Sequence, residues 1–300
     1  MGIPFLKGHG TENDFIVLPD PDATLDLTPA RVRALCDRAR GLGADGVLRV
    51  VPAKAVEDAP SDVDDDVWFM DYRNADGSVA EMCGNGVRLF ARYLVESGLE
   101  RGSGFTVGSR AGARPVRVHP DGQLIVHMGP VTVLGPSLAS VSGSEHPGVA
   151  VDVGNPHLVC LLDGGLDRLD LTVQPGFDHA LFPNGVNVEF AVPGAGGEVR
   201  MRVHERGVGE TRSCGTGTVA VAAAVLHLRG ESTGAVTVHT LGGPVRVTVE
   251  DGDSTLTGPA VFVARGELDS AWWHGLGTAG HGQVGRAEQV HDRDAVDLER

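Results

Sequence analysis

Two short cysteine-glycine segments are the features of this sequence best suited to chemistry. One reads Met-Cys-Gly-Asn-Gly around Cys83, and the other reads Ser-Cys-Gly-Thr-Gly around Cys214. Each opens an apolar run typical of a helix, so each thiol is predicted at a helix N-terminus, where N–H groups and the helix dipole favour thiolate over thiol. The glycines let a ligand approach the backbone, whose free N–H groups can bind a carboxylate. Two such segments in matching contexts favour a shared function over two structural turns.

A pair of thiols suits the inversion of an amino-acid α-carbon. One group cannot serve both faces of a planar carbanion, whereas Cys83 and Cys214 could flank it, one as thiolate and one as thiol. N–H groups from both helix starts would then stabilise the enediolate that forms on the substrate carboxylate. The sequence has only two lysines, Lys7 and Lys54, and Lys54 enters an acidic, proline-containing segment. A Schiff base is therefore poorly supported, and we predict a reaction without a cofactor.

Charged residues lead directly into the second cysteine segment. Glu205 and Arg206 stand in the run His-Glu-Arg-Gly-Val-Gly-Glu-Thr-Arg that ends at Arg212. Glu205 could bind an ammonium group, and Arg206 could bind a carboxylate in bidentate fashion. The alternative is a surface ion pair at a strand end, which the attachment to Cys214 disfavours.

Four asparagines and one histidine are further candidates for the site. Asn13, Asn74, Asn155 and Asn187 all lie in turn-like settings, where asparagine commonly bonds its own backbone. His157, in Gly-Asn-Pro-His, could be a polar wall of the site, a proton relay or a core histidine with satisfied nitrogens. The histidines show no spacing of the HExxH kind, so we expect no metal site.

Charge and hydropathy restrict the partners and the compartment. The formal net charge is −15 at pH 7, which argues against nucleic acid and anionic membranes, since both need a basic face. It leaves room for an acidic small molecule bound by local arginines and helix N-termini. There is no 18-residue apolar run and no leader-like start, so a cytoplasmic protein is expected. The four cysteines lack a CxxC pattern and are expected to be reduced.

The surrounding pattern is rich in strands and has three helices. The helices are predicted from Thr28 to about Ala39, from about Val87 to Gly98, and from Gly217 to about Leu228. The last of these is apolar on every side and must be wrapped by other structure. The acidic Glu57–Asp66 stretch is predicted to be a solvated, mobile loop.

The two cysteine segments suggest two similar halves. The predicted fold is α+β, with two pseudo-symmetric domains that each curl a mixed or antiparallel sheet around a central helix. The first comprises 1–118 with 259–268 and carries Cys83, and the second comprises 119–258 and carries Cys214. Residues 269–300 show no periodicity and are predicted to form a disordered tail.

Taken together, these segments resemble the diaminopimelate epimerase family of the lysine and peptidoglycan route. The resemblance covers roughly Phe5 to Leu268 and includes Glu-Asn-Asp-Phe, Asn-Ala-Asp-Gly-Ser, Gly-Asn-Pro-His, Glu-Arg-Gly-x-Gly-Glu-Thr and both cysteine segments. It implies the two-domain fold, with a last strand near Ala260–Ala264 that returns to the first domain. It also implies no cofactor, and homodimers occur in the family. Some members carry Gln where Gly46 stands, so no contact is carried over there.

The resemblance assigns roles residue by residue. Cys83 and Cys214 match the acid/base pair that interconverts LL- and meso-diaminopimelate. Contacts to the reacting carboxylate and amine are implied for Gly84, Asn85, Gly215 and Thr216. Substrate binding is implied for Asn13, Asn74, Asn187, Glu205 and Arg206, with Arg206 reading the distal carboxylate and Glu205 orienting the amine. Asn155 and His157 are implied to line the site near the cysteines.

Three other functions stay open at this point. A proline or hydroxyproline racemase shares the fold and the cysteine pair, but usually has His where this chain has Asn85, and lacks the Glu-Arg-Gly-x-Gly segment. A non-catalytic or isomerase relative on the same scaffold would be marked by loss of a cysteine, and both are present. A redox protein that switches through a Cys83–Cys214 disulfide is the third, although such oxidation should inactivate an epimerase.

Overall fold

The computed structural model describes residues 2–278, and strands dominate them. The helices are α1 (Pro29–Cys36), α2 (Gly84–Glu96), α3 (Gly215–Leu228) and α4 (Ser270–Thr278). The strands are β1 (Ile3–Gly10), β2 (Asn13–Pro19), β3 (Gly46–Pro52), β4 (Trp68–Asn74), β5 (Gly104–Ser109), β6 (Gly112–Val118), β7 (Leu124–Pro130), β8 (Thr132–Val141), β9 (Ser144–Asp152), β10 (Pro156–Leu161), β11 (Gly176–Phe177), β12 (Asn187–Pro193), β13 (Glu198–Glu205), β14 (Gly209–Thr211), β15 (Gly234–Thr240), β16 (Gly243–Glu250), β17 (Asp253–Gly258) and β18 (Val261–Leu268).

The first group of strands surrounds α2. The strands β1 and β2 form an antiparallel hairpin, β2 pairs in parallel with β3, and the sheet continues through β4, β5, β6 and β7. The last strand, β18, runs antiparallel to β1 with Ile3 opposite Leu268, as the family resemblance implies. Helix α2 packs on β1, β2, β3, β4 and β7, with Val87, Phe90 and Leu94 fully buried.

The second group of strands surrounds α3. The β8–β9 hairpin leads into β10, which pairs in parallel with β12, and β13 pairs in parallel with β15. Val219, Ala220 and Val221 of α3 have no exposed surface, so the prediction of a helix wrapped on every side is confirmed. Each fully buried valine contributes roughly 1.5–3 kcal/mol relative to an exposed one.

One continuous sheet joins these groups, because β7 pairs with both β6 and β17. The fold class is therefore confirmed: a mixed, sheet-dominated α+β architecture with few helices. The boundaries at 1–118 with 259–268 and at 119–258 remain predictions.

The predicted tail is wrong in its first part. The sequence after Leu268 forms α4, and its Trp273 is buried against α1, where the Arg31 guanidinium stacks 4.7 Å from the indole ring. A stacked, desolvated arginine stabilises such a helix although its sequence shows no period. The remainder of the predicted tail, 279–300, lies outside the described residues.

Two other local predictions need correction. Helix α1 ends at Cys36 and not near Ala39, because Asp37 leaves the helical conformation and its carboxylate accepts the N–H groups of Ala39 and Arg40. The acidic stretch is anchored to the body of the protein, since Val63 is buried and Asp58 pairs with Arg110 at 2.6 Å.

Candidate active site

The two cysteine segments meet where α2 and α3 begin. Cys83 and Cys214 are the N-cap residues, both in extended conformation, with φ −142° and −118° respectively. A Cβ on Gly215 would lie only 3.4 Å from Cα of Gly84, so the two backbones nearly touch. The free N–H groups and positive dipole ends of both helices therefore converge on one place, which suits an anion.

Burial dominates the acidity of both thiols. Cys83 is half-buried, and burial raises the pKa of its thiol to about 11, although the N–H groups of Gly86 and Asn85 act in the opposite direction. Cys214 is 7 % exposed, and burial raises the pKa of its thiol well above the ordinary value. The prediction that the helix starts favour thiolate is therefore wrong for this arrangement, because desolvation outweighs the dipole. Burial therefore favours the protonated form of both cysteines.

The surroundings of Cys83 are mainly amides. Its Sγ is 3.4 Å from Oδ1 of Asn13, and Nδ2 of Asn13 donates to the Asp45 carboxylate at 2.8 Å. Asp45 also accepts from Arg38. This bond fixes the Asn13 amide so that its carbonyl faces the thiol. Asp45 was missed from the sequence, although it precedes Gly46 in a turn.

Cys214 has charged neighbours. The negative charge of Glu205 raises the pKa of the Cys214 thiol, and the thiol in turn lowers the pKa of Glu205. Burial keeps the pKa of Glu205 above its ordinary value overall. Thr211 also donates to the Glu205 carboxylate. Cys214 Sγ is 3.6 Å from Oγ1 of Thr216 and 3.4 Å from N of Gly217. A carboxylate beside this thiol can accept its proton.

A buried histidine–glutamate pair extends the Cys214 environment. Nδ1 of His157 is 2.7 Å from Oε1 of Glu189, and neither residue has exposed surface. Nε2 of His157 is 3.0 Å from Oδ1 of Asn155, and Nδ2 of Asn155 is 3.5 Å from Oγ1 of Thr216. A chain of polar contacts thus runs from Glu189 to Cys214.

These contacts bear on the three roles considered for His157: a polar wall of the site, a proton relay or a core histidine. It is buried with both nitrogens occupied, and it also connects to the cysteine through Asn155 and Thr216. Glu189 was missed from the sequence. Strand periodicity could have found it, because Glu189 and Asn187 stand two residues apart on β12 and so share a face.

The remaining predicted site residues adjoin this centre. Oδ1 of Asn187 accepts the backbone N–H of Arg206 at 2.9 Å, and Nη1 of Arg206 donates to the Asn184 carbonyl at 3.0 Å. Asn74 is paired with Gly46, next in the chain to Asp45, and donates to Ser78 at 3.0 Å. Within residues 2–278, no hydrogen bond joins Asn74 or Arg206 to either cysteine.

All four cysteines are free thiols. In the part of the chain that the structure describes, no cluster of three or more His, Cys, Asp or Glu side chains has the arrangement of a metal site. No helix of residues 2–278 is long and apolar enough to span a bilayer.

Comparison with known proteins gives one consistent family. The family model described as diaminopimelate epimerase matches residues 5–134 and 149–263. A diaminopimelate epimerase of Rhodococcus erythropolis is 58% identical over 286 residues, which cover 91% of this chain and 98% of the relative. One from Mycolicibacterium smegmatis is 55% identical over 287 residues, covering 91% and 99%.

Solved structures named for other functions have a similar fold. A probable proline racemase from Agrobacterium radiobacter aligns with a TM-score of 0.63 at 17% identity, covering 89% of this chain and 93% of the other. A phenazine biosynthesis protein of the PhzF family from Bacillus anthracis aligns with a TM-score of 0.64 at 17% identity, covering 89% and 99%. At this identity the likeness concerns the fold alone, so it does not favour a proline substrate.

Proposed function

Because this chain belongs to the diaminopimelate epimerase family and is thus an isomerase, we propose that it interconverts LL- and meso-2,6-diaminopimelate by proton transfer between two thiols, without a cofactor. The observation that carries the proposal is the meeting of two helix starts, each with a cysteine N-cap. The resemblance to the family further supports a role in lysine and peptidoglycan precursor synthesis.

The backbone supplies the electrostatic part of the mechanism. The α-carboxylate of the substrate binds N–H groups at the starts of both helices, among them those after Gly84 and Gly215. Removal of the α-proton moves negative charge onto this carboxylate as an enediolate, at the point where both dipoles are positive. These preorganised donors already bind the carboxylate, and they stabilise the additional negative charge of the enediolate more strongly.

The thiols supply the acid and the base. One of Cys83 and Cys214, as thiolate, removes the proton from one face of Cα, and the other, as thiol, delivers a proton to the opposite face. Their roles exchange when the reaction reverses. Because burial raises both pKa values, forming the thiolate needs a local proton acceptor or a positive charge. Glu205 is suited to accept the Cys214 proton, and the α-ammonium of the substrate supplies the positive charge.

The other site residues are proposed to bind the rest of the substrate. Arg206, whose backbone is held by Asn187, reads the distal carboxylate in bidentate fashion. Asn13 and Asn74 contribute from the first group of strands, and Asn155 with His157 forms the wall beside Cys214. Since Cys214 is 7 % exposed, entry of a substrate requires these segments to move apart, as in enzymes that close over their substrates.

The test is substrate-dependent deuterium uptake at Cα in D2O, without added cofactor, across LL- and meso-diaminopimelate, proline and lysine. We expect uptake with diaminopimelate in the unmodified enzyme and its loss, by about a thousandfold or more, in Cys83→Ala and Cys214→Ala. Cys36→Ala and Cys160→Ala are matched controls, because both thiols are buried in hydrophobic clusters separate from the one that contains Cys83 and Cys214. Full turnover in either active-site variant, or faster turnover of proline, would refute the proposal.

A further inference from the structure

Arg88 is a cation enclosed by the protein without an acidic partner. It lies on α2, has no exposed surface, and forms no salt bridge with any of residues 2–278. Nη1 has no hydrogen-bond partner, and burial lowers the pKa of the guanidinium to about 10. Buried charges are normally paired because desolvation is costly. An unpaired one therefore calls for an explanation.

The other nitrogens of Arg88 hold two side chains and the chain before β18. Nε donates to the Pro259 carbonyl at 3.2 Å, and Nη2 donates to Oγ1 of Thr11 at 3.1 Å and to Oδ1 of Asn85 at 2.9 Å. A guanidinium can only donate, so Asn85 must present its carbonyl oxygen to Arg88. The amide nitrogen is thereby turned the other way.

The Asn85 amide nitrogen reaches both cysteine segments. Nδ2 is 3.3 Å from Oδ1 of Asn13, which faces the Cys83 thiol, and 3.2 Å from the carbonyl of Ser213, which precedes Cys214. Contacts that bridge the two segments are therefore set by the orientation that Arg88 imposes.

Thr11 makes the second bridge, in an unfavourable backbone conformation. Its φ is +49°, a left-handed conformation that a β-branched residue rarely adopts, and its side chain is buried. The conformation places Oγ1 between Nη2 of Arg88 and Oγ of Ser213, which is 2.9 Å away. We call these four residues, Thr11, Asn85, Arg88 and Ser213, the clasp.

We propose that Arg88 is a positioning residue for the epimerase reaction, which it serves by orienting Asn85 and Thr11 so that the clasp sets the spacing of Cys83 and Cys214. The inference rests on the proposed two-thiol function. Arg88 has no hydrogen bond to either thiol, so it acts through Asn85, Asn13 and Ser213. The buried unpaired charge is explained because a guanidinium, which can only donate, requires the carbonyl oxygen of Asn85 to face it.

Arg88→Met tests the proposal, with Arg92→Met as its matched control. Arg92 lies one turn further along α2 and donates to the Ala260 carbonyl at 2.6 Å, but does not contact the clasp. We expect Arg88→Met to lower kcat about a hundredfold with KM changed less than about threefold, because misplacing reacting groups by about 1 Å costs that much. Arg88→Lys should recover part of kcat by donating to Asn85, and Arg92→Met should leave kcat unchanged.

Thr11→Val and Thr11→Ser keep the test decisive if Arg88→Met does not fold. Valine keeps the shape and loses the hydroxyl, and serine keeps the hydroxyl. We expect Thr11→Val to lower kcat about tenfold, and Thr11→Ser to remain within about twofold of the unmodified enzyme. Folded Arg88→Met with unchanged kcat, or equal kcat for both Thr11 variants, overturns the clasp. Failure of the two-thiol function would appear separately, as activity in the Cys→Ala variants.

Discussion

The two cysteines occupy matching positions at the starts of α2 and α3, and yet their surroundings differ in kind. Cys83 is half-buried beside a neutral amide; burial raises its thiol pKa, the negative charge of Glu205 adds to that rise, and the Arg88 guanidinium opposes it. Cys214 is more deeply buried, and the negative charges of Glu205 and Glu189 both add to the effect of burial on its thiol pKa. The same N-cap geometry therefore places the two thiols among different charges. What is packed against each helix start, and not the local motif, sets the proton affinity of each face.

Among changes to the surroundings of the two thiols, the largest effect should follow from removing the charge of Glu205. Glu205→Gln leaves the shape of the site and removes the proton acceptor, so the surroundings of Cys214 become more like those of Cys83. We expect kcat to fall about 10²–10³-fold in the deuterium-uptake assay, as for loss of a general base. Glu210→Gln on the adjoining strand is the control, since Glu210 pairs with Arg202 at 2.6 Å. Equal kcat for the two variants would remove Glu205 from the mechanism.

The pH dependence of stability offers a second test. The folded pKa of Cys83 is about 11 and the ordinary thiol value is 9.0. A raised folded pKa stabilises the protein fully below the unfolded value and loses that effect as the pH rises through the folded value. Cys83→Ala should therefore lose less stability than the unmodified protein between about pH 9 and pH 11, by roughly 1 kcal/mol per pH unit.

The same measurement compares the two thiols. Burial, and after it the negative charges of Glu205 and Glu189, raise the pKa of Cys214 well above its ordinary value, so Cys214→Ala should flatten the pH profile at least as much as Cys83→Ala does. Urea unfolding followed by circular dichroism at pH 8, 9.5 and 10.5 checks this. A variant whose profile is as steep as that of the unmodified protein would show that burial does not raise the pKa of the thiol it lacks.

The smallest effect is expected from the two glycines after the cysteines. A Cβ on Gly215 would lie 3.4 Å from Cα of Gly84, in ordinary van der Waals contact, whereas a Cβ on Gly84 would lie 2.9 Å from the flexible end of Met128. A thioether can move aside at little cost. We expect both Gly215→Ala and Gly84→Ala to lower kcat/KM by less than about tenfold, with the larger loss in Gly84→Ala because Met128 must shift. The reverse order would show that the contact between the two backbones is the tighter one.

Sequence patterns predicted what is local and missed what depends on distant packing. The cysteine segments, the wrapped helix α3 and the α+β class are readable because each depends on residues close in the chain. Asp45 acts on Asn13, and Arg88 acts on Thr11. Such pairings become visible only when strands far apart in the sequence are placed side by side.

Two predictions, a lowered thiol pKa at the helix starts and a disordered tail directly after Leu268, were wrong for the same reason. The helix-start rule predicts a lowered pKa, but the burial that reverses it is a property of the whole fold. Residues 270–278 show no period, and their order comes from Trp273 packing against α1. In both cases tertiary contacts outweigh the local signal.

The pairing of β18 with β1 has a consequence for how the chain matures during synthesis. Residues 3–10 pair early with β2, but gain their second neighbouring strand only when residues 261–268 have been made, so nearly the whole chain must leave the ribosome first. Until then the edge of β1 is open, and open edges invite pairing with other nascent chains. A nonsense mutation just before β18 would therefore release a protein that has both cysteines and every proposed substrate-binding residue, but an unprotected first strand.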